Sequence, residues 1–133
     1  MMLKDLLIKH EGKKAKVYYD TKGIATIGVG RNLEDVGLSE DEILYLLEND
    51  IKRILNDCWH EFPWFGDLTE PRQYVVVDMI FNCGLAGFKQ FRKFIAAVER
   101  EDWIAASREI INSQIAPARA AELASIMAGK DSQ

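Results

Sequence analysis

The chain has 133 residues, 48% of them hydrophobic and 29% charged, with a formal net charge of −4. That length supports one domain with a real core, and the composition is that of a soluble globular protein. The acidic balance offers no basic footprint for nucleic acid as the main partner and no long-range attraction to an anionic polymer.

No stretch approaches a transmembrane run. The N-terminal MMLKDLLIKH is broken by charge and lacks the apolar core and small-residue cleavage site of a secretory signal. Passage across a membrane is therefore expected to depend on another agent. Cys58 and Cys83 are too few for a disulfide framework. They read as free thiols at apolar helix positions, which fits a reducing compartment.

Leu3, Leu6 and Leu7 stand at helical spacing, so residues 2–10 are expected to form a short amphipathic helix ending near His10-Glu11-Gly12. Two β-prone runs follow, Val17-Tyr18-Tyr19 and Ile24-Ala25-Thr26-Ile27, with the turn formers Asp20-Thr21-Lys22-Gly23 between them. Gly28 and Gly30 mark a tight path where the returning strand turns away.

Ser39 with Glu42 three residues on is a capping-box signature. Ile43, Leu46, Leu47, Ile51, Ile54, Leu55 and Cys58 then lay out one continuous apolar face. A helix of about 20 residues spans roughly 30 Å, long enough to bridge two lobes. Pro63 and Gly66 interrupt the pattern in WHEFPWFGDL. His60-Glu61 has no second histidine four residues on, so His60 reads as a surface residue rather than a zinc ligand.

The remainder reads as helical. Thr69 is an N-cap with Pro71 in the first turn, and Tyr74–Phe81 (YVVVDMIF) is a helix buried on most sides that Gly84 ends. Phe88, Phe91, Phe94, Ile95 and Val98 line the next helix. Asp102 caps another, with Trp103, Ala106, Ile110 and Ile111 inward. Pro117 opens the last, through Ala120, Leu123 and Met127 to Gly129. The fold class is α+β, mostly helical, with a small β-hairpin lobe, a long connecting helix and a helical C-terminal lobe. One domain over 1–133 is expected. The hairpin lobe and connecting helix cover about 12–58, and the helical lobe covers about 59–133 together with 1–11.

Two acids frame the hairpin. Glu11 falls at a helix C-terminus, where the dipole disfavours negative charge and favours a retained proton. Asp20 lies among turn amides. Glycosidic bond hydrolysis needs such a pair, one carboxylic acid to protonate the leaving oxygen and one carboxylate opposite it. Each acid also has a plain structural reading, a solvated last-turn glutamate and a turn aspartate satisfying local donors.

Glu11-Gly12, Tyr18, Asp20-Thr21, Gly23 and Thr26-Ile27-Gly28-Val29-Gly30 resemble, without gaps, the catalytic signature of phage-type lysozymes, the endolysins of glycoside hydrolase family 24. Phe81-Asn82-Cys83-Gly84 with Ala86-Gly87-Phe88, and Pro117-Ala118-Arg119-Ala120, are similar to further motifs of that family. The resemblance implies a lysozyme-like two-lobe fold and an N-acetylmuramidase. Its substrate would be the β-1,4 bond between N-acetylmuramic acid and N-acetylglucosamine in peptidoglycan.

Under that resemblance Glu11 is the general acid, Asp20 activates a water, and Thr26 helps to hold it. The reaction is inverting, with carboxyl groups expected roughly 6.5–9.5 Å apart. Arg119 pairs with and orients Glu11, while Asn32, Phe81 and Asn82 contact substrate. No metal or other cofactor is implied, and no stable membrane association. A monomer is expected.

The chain departs from the family pattern at Arg31, where many relatives have histidine, at Phe91 and Glu109, and in the short Ser113–Pro117 segment. An endolysin of this kind would wait in the host bacterial cytoplasm until released to the periplasm and cell wall. Two alternatives are the same chemistry used by a phage to penetrate the wall, and a non-catalytic peptidoglycan-binding module.

Overall fold

The computed structural model describes residues 2–130; Met1 and residues 131–133, the ends of the expected domain, lie outside the described residues. Among these, six α-helices and one three-stranded antiparallel sheet give an α+β, mostly helical architecture, as the sequence implies. The chain divides into two compact units, Met1–Leu46 and Leu47–Gln133. The division falls inside the long helix, with the N-terminal helix and the strands in the first unit.

In the first unit, α1 (Leu3–Glu11) closes at Gly12, whose N–H donates to the Ile8 carbonyl. Strands β1 (Lys14–Tyr19), β2 (Ala25–Gly28) and β3 (Arg31–Asn32) pair in chain order. The hairpin is the one read from the sequence. Tyr18 lies opposite Thr26 and Tyr19 opposite Ala25, with an irregularity between Lys14 and Tyr18. The two-residue β3 carries too little pattern to be foreseen, and it pairs Arg31 with Ile27 and Asn32 with Thr26.

Helix α2 (Glu40–Glu61) begins with the expected capping box. The Ser39 N–H donates to Glu42 Oε1 at 2.8 Å, and the Glu42 N–H donates to Ser39 Oγ at 3.2 Å. Its apolar face is not continuously buried: Ile54 and Cys58 are enclosed, whereas Ile43, Leu46, Leu47 and Ile51 are exposed. The reason is that the hydrophobic core of the described residues begins at Ile54 and draws nothing from the first unit.

The second unit holds that core. After a 3₁₀ turn at Phe65–Asp67 come α3 (Glu70–Lys89), α4 (Arg92–Glu99), α5 (Trp103–Ile111) and α6 (Pro117–Ala128). Gly84, with φ 78° and ψ 164°, is not helical: the helix through Tyr74–Phe81 ends there, as the sequence implies, and a second short helical stretch runs on to Lys89. A residue with a Cβ rarely adopts that φ.

Phe88 forms the centre of an aromatic cluster, with edge contacts to Phe62, Phe91 and Phe94 at centroid distances of 5.3, 6.4 and 6.0 Å. Helix α3 is buried on one side only. Val75, Val76, Met79 and Ile80 face inward while Tyr74 and Phe81 are exposed. In α5, Ala106 and Ile110 are buried, but Ile111, expected to face inward, is 53% exposed. The Asp102 side chain caps α5 by accepting from the Ala105 N–H at 3.1 Å.

Both cysteines are free. Burial pushes the Cys58 thiol up to about 11. His60 is exposed, with its ring Nδ1 on the Asn56 carbonyl oxygen at 2.8 Å. Among the described residues no helix is long and apolar enough to cross a membrane.

Arg31 joins β3 to the start of α2 through a forked ion pair with Glu42. This hydrogen bond, with those from Ser39, holds the Glu42 carboxyl down at about 2 against a usual 4.5. A lowered carboxylate stabilises the fold above its unfolded-state value, and that contribution fades as pH falls through the folded value. Glu42→Gln keeps an oxygen for the Ser39 N–H and removes the charge. We expect its thermal midpoint to lie below wild type above pH 5, with the gap closing between pH 4.5 and about 2. A gap that stays constant to pH 2 in scanning calorimetry would contradict the pair's assigned role.

Candidate active site

The first unit carries the hairpin acids. Glu11 is the last residue of α1, and its carboxylate lies against the backbone of Gly30, between β2 and β3. A Cβ at Gly30 would stand 2.6 Å from Glu11 Oε1 and 3.1 Å from its Cδ. Gly30 also has φ 61°, a conformation that favours glycine, and a side chain at this position would displace the Glu11 carboxylate.

Asp20 closes the β1–β2 turn. Its Oδ1 accepts from the Lys22 N–H at 2.8 Å and the Ile24 N–H at 2.9 Å. Both bonds fall on one oxygen, which fixes the carboxylate's direction and leaves Oδ2 without a donor among the described residues. The plain reading of Asp20 as a turn aspartate therefore holds alongside any chemical role, since the two use different oxygens.

Thr26 is the one buried polar side chain among the described residues, at 4% exposure. Its hydroxyl donates to the Ile24 carbonyl at 2.8 Å, so toward any further partner it can only accept. Asn32, opposite Thr26 in the sheet, is occupied by its own turn. Its Oδ1 accepts from the Glu34 and Asp35 N–H groups, and its Nδ2 donates to Asp35 Oδ2 at 3.1 Å.

The second unit carries Phe81, Asn82 and Arg119. The Arg119 guanidinium is held within that unit: Nε donates to Asp78 Oδ1 at 2.7 Å, Nη2 to the Asp78 carbonyl at 3.3 Å, and Nη1 to Asn82 Oδ1 at 3.3 Å. Asp78 was not singled out in the sequence, although a lone aspartate within YVVVDMIF signals a special partner. With Asp78, Phe81 and Arg119, the side chains of Leu47, Ile51, Leu55, Tyr74 and Val77 line a largely apolar groove of about 430 Å³. A ring 48% exposed at Phe81 beside a guanidinium and an amide provides both a stacking face and hydrogen-bond donors, the surface chemistry that carbohydrates use.

The structure thus gathers Glu11, Asp20, Thr26 and Asn32 in one unit and Phe81, Asn82 and Arg119 in the other. Beside them it places Gly30 against Glu11 and Asp78 against Arg119. The sequence marks Gly30 as a turn glycine within the motif, while its closeness to Glu11 follows only from the fold. No cluster of three or more His, Cys, Asp or Glu side chains suited to a metal ion occurs among the described residues.

Comparison with known proteins agrees with this chemistry. The family described as phage lysozyme matches residues 8–122. Probable T4-type lysozyme 2 of Dictyostelium discoideum is 26% identical, the match covering 84% of this chain and 82% of that protein. Probable T4-type lysozyme 1 of the same organism is 23% identical over the same shares. The pre-baseplate central spike protein Gp5 of Enterobacteria phage T4 is 24% identical, over 77% of this chain and 23% of the spike protein. A match running from the end of α1 into α6 takes in the framed hairpin and the Arg119 cluster alike, and the chain belongs to the phage lysozyme family, glycoside hydrolases whose substrate is peptidoglycan.

Proposed function

We propose that the chain cleaves the β-1,4 bond between N-acetylmuramic acid and N-acetylglucosamine with inversion, Glu11 acting as general acid and Asp20 as general base. The observation that carries this reading is the contrast between the two carboxylates of the first unit. Glu11 rests on bare backbone at Gly30 and makes no hydrogen bond among those seen in the fold. Asp20 is pinned through Oδ1 with Oδ2 left open.

In the proposed reaction the Glu11 carboxyl passes its proton to the glycosidic oxygen as the bond to C1 breaks. Asp20 Oδ2 takes a proton from a water that attacks C1 from the opposite face. Thr26, able only to accept, receives the other hydrogen of that water and so fixes its approach. Arg119 is the proposed orienting cation for the acid, and Phe81 and Asn82 the proposed sugar contacts. Asn32 contributes through the turn it organises and through its remaining amide hydrogen.

The proposed biological role is lysis of the bacterial host after release from its cytoplasm, with the chain acting as a monomer. The similarity to a phage spike protein supports a second use of the same chemistry, penetration of the wall during infection.

Turbidity clearing of permeabilised Gram-negative cells tests the assignments. Glu11→Gln and Asp20→Asn are each expected to lower the rate about 10²-fold or more, since proton transfer contributes roughly 10²–10⁴. Clearing by both variants at the wild-type rate would end the assignment. Mass analysis of the fragments should show muramic acid at the reducing end; a reducing-end glucosamine would place the cut at the other bond. Gly30→Ala forces the Glu11 carboxylate aside, and a loss of about tenfold or more is expected from misplacing the acid. A Gly30→Ala enzyme of normal rate would show that Glu11 does not need that backbone.

A further inference from the structure

Arg31 stands immediately after Gly30, the residue on which the Glu11 carboxylate rests. Its backbone is paired with Ile27 in the sheet, and its side chain leaves the sheet for the start of α2. There Nη1 donates to Glu42 Oε1 at 2.9 Å and to the Gly37 carbonyl at 3.0 Å, while Nη2 bonds Glu42 Oε2. Glu42 is itself fixed by the Ser39 N–H on Oε1 and by its own N–H on Ser39 Oγ. A continuous set of contacts therefore runs from the cap of α2 through Glu42 and Arg31 to Gly30, and from Gly30 to Glu11.

Both charged side chains are about a third exposed, at 36% and 37%, so solvent screens the attraction and keeps the pair's contribution to stability modest. Its distinguishing property is geometric. Two parallel N–H···O bonds from a planar guanidinium to a carboxylate fix direction as well as distance, which a lysine ammonium does not. Gly30, the residue next to Arg31, has no side chain of its own to hold it in place.

Resting on the reading of Glu11 as general acid, we propose that Arg31 and Glu42 are positioning residues that fix the Gly30 backbone and thereby the direction of the Glu11 carboxyl. The site selects a guanidinium–carboxylate pair, not merely opposite charges. Neither residue touches substrate, so the pair governs the rate of the bound complex rather than affinity.

The test separates kcat from KM on soluble peptidoglycan fragments for Arg31→Lys and for Glu42→Gln, which retains the Ser39 contact and gives a second route should the lysine variant fold poorly. Each is expected to lower kcat about tenfold, the scale of a small misplacement of a catalytic group, with KM changed by less than about twofold. In a Glu11→Gln background the same substitutions are expected to cost nothing further, because residues that act through one group are not additive. Unchanged kcat in both variants, or an undiminished loss in the Glu11→Gln background, would overturn the proposal. A wild-type rate for Glu11→Gln alone would instead remove the acid assignment on which it rests, so the two failures are distinguishable.

Discussion

The constraint on which the first unit depends is the approach of the Glu11 carboxylate to the bare backbone of Gly30. A methyl group there would lie 2.6 Å from a carboxylate oxygen, closer than any real contact allows. The left-handed φ at Gly30 lets β2 turn into β3 at this point, and the absence of a side chain lets the acid lie over the turn. One residue thus satisfies a topological need and a chemical one. The neighbouring features follow the same pattern: Asp20 uses one oxygen for its turn and keeps the other open, and Arg31 serves both a strand and a helix cap.

The second unit solves a different problem. It encloses the buried apolar cluster of the described residues, packed as a solid interior. On the side of α3 that this core does not cover, Asp78 and Asn82 hold the Arg119 guanidinium in a planar arrangement. A partly exposed aspartate beside an arginine adds little stability, but it sets where the remaining guanidinium N–H groups point. Phe81 adds an exposed aromatic face within the same groove.

What the sequence revealed and what it hid divide along a physical line. Interactions between residues a few positions apart were legible: the Asp20–Gly23 turn, the Ser39–Glu42 capping box, the Asp102 cap and the Pro117 helix start all depend on local backbone geometry. Interactions set by tertiary placement were not. The Arg119–Asp78 pair spans 41 residues, and β3 is two residues long and exists only because β2 is beside it. Periodicity also overstated burial. It marks which residues share a face of α2, but only contact with another element decides which part of that face is enclosed, and enclosure begins at Ile54. The end of the buried helix at Gly84 was legible too, because the positive φ that closes it there favours glycine. The acids stand out by their place around a turn, but which oxygen of Asp20 that turn consumes is stated by no sequence pattern.

In the proposed mechanism Glu11 donates a proton while Asp20 activates a water on the opposite face of the sugar. Proton NMR of the first products, recorded before mutarotation, tests it most directly. A water delivered by Asp20 inverts the anomeric centre, so the α-anomer should appear first and convert to the equilibrium mixture. The β-anomer as the initial product would mean that the configuration is retained, and it would contradict the assignment of Asp20 as a base acting through water.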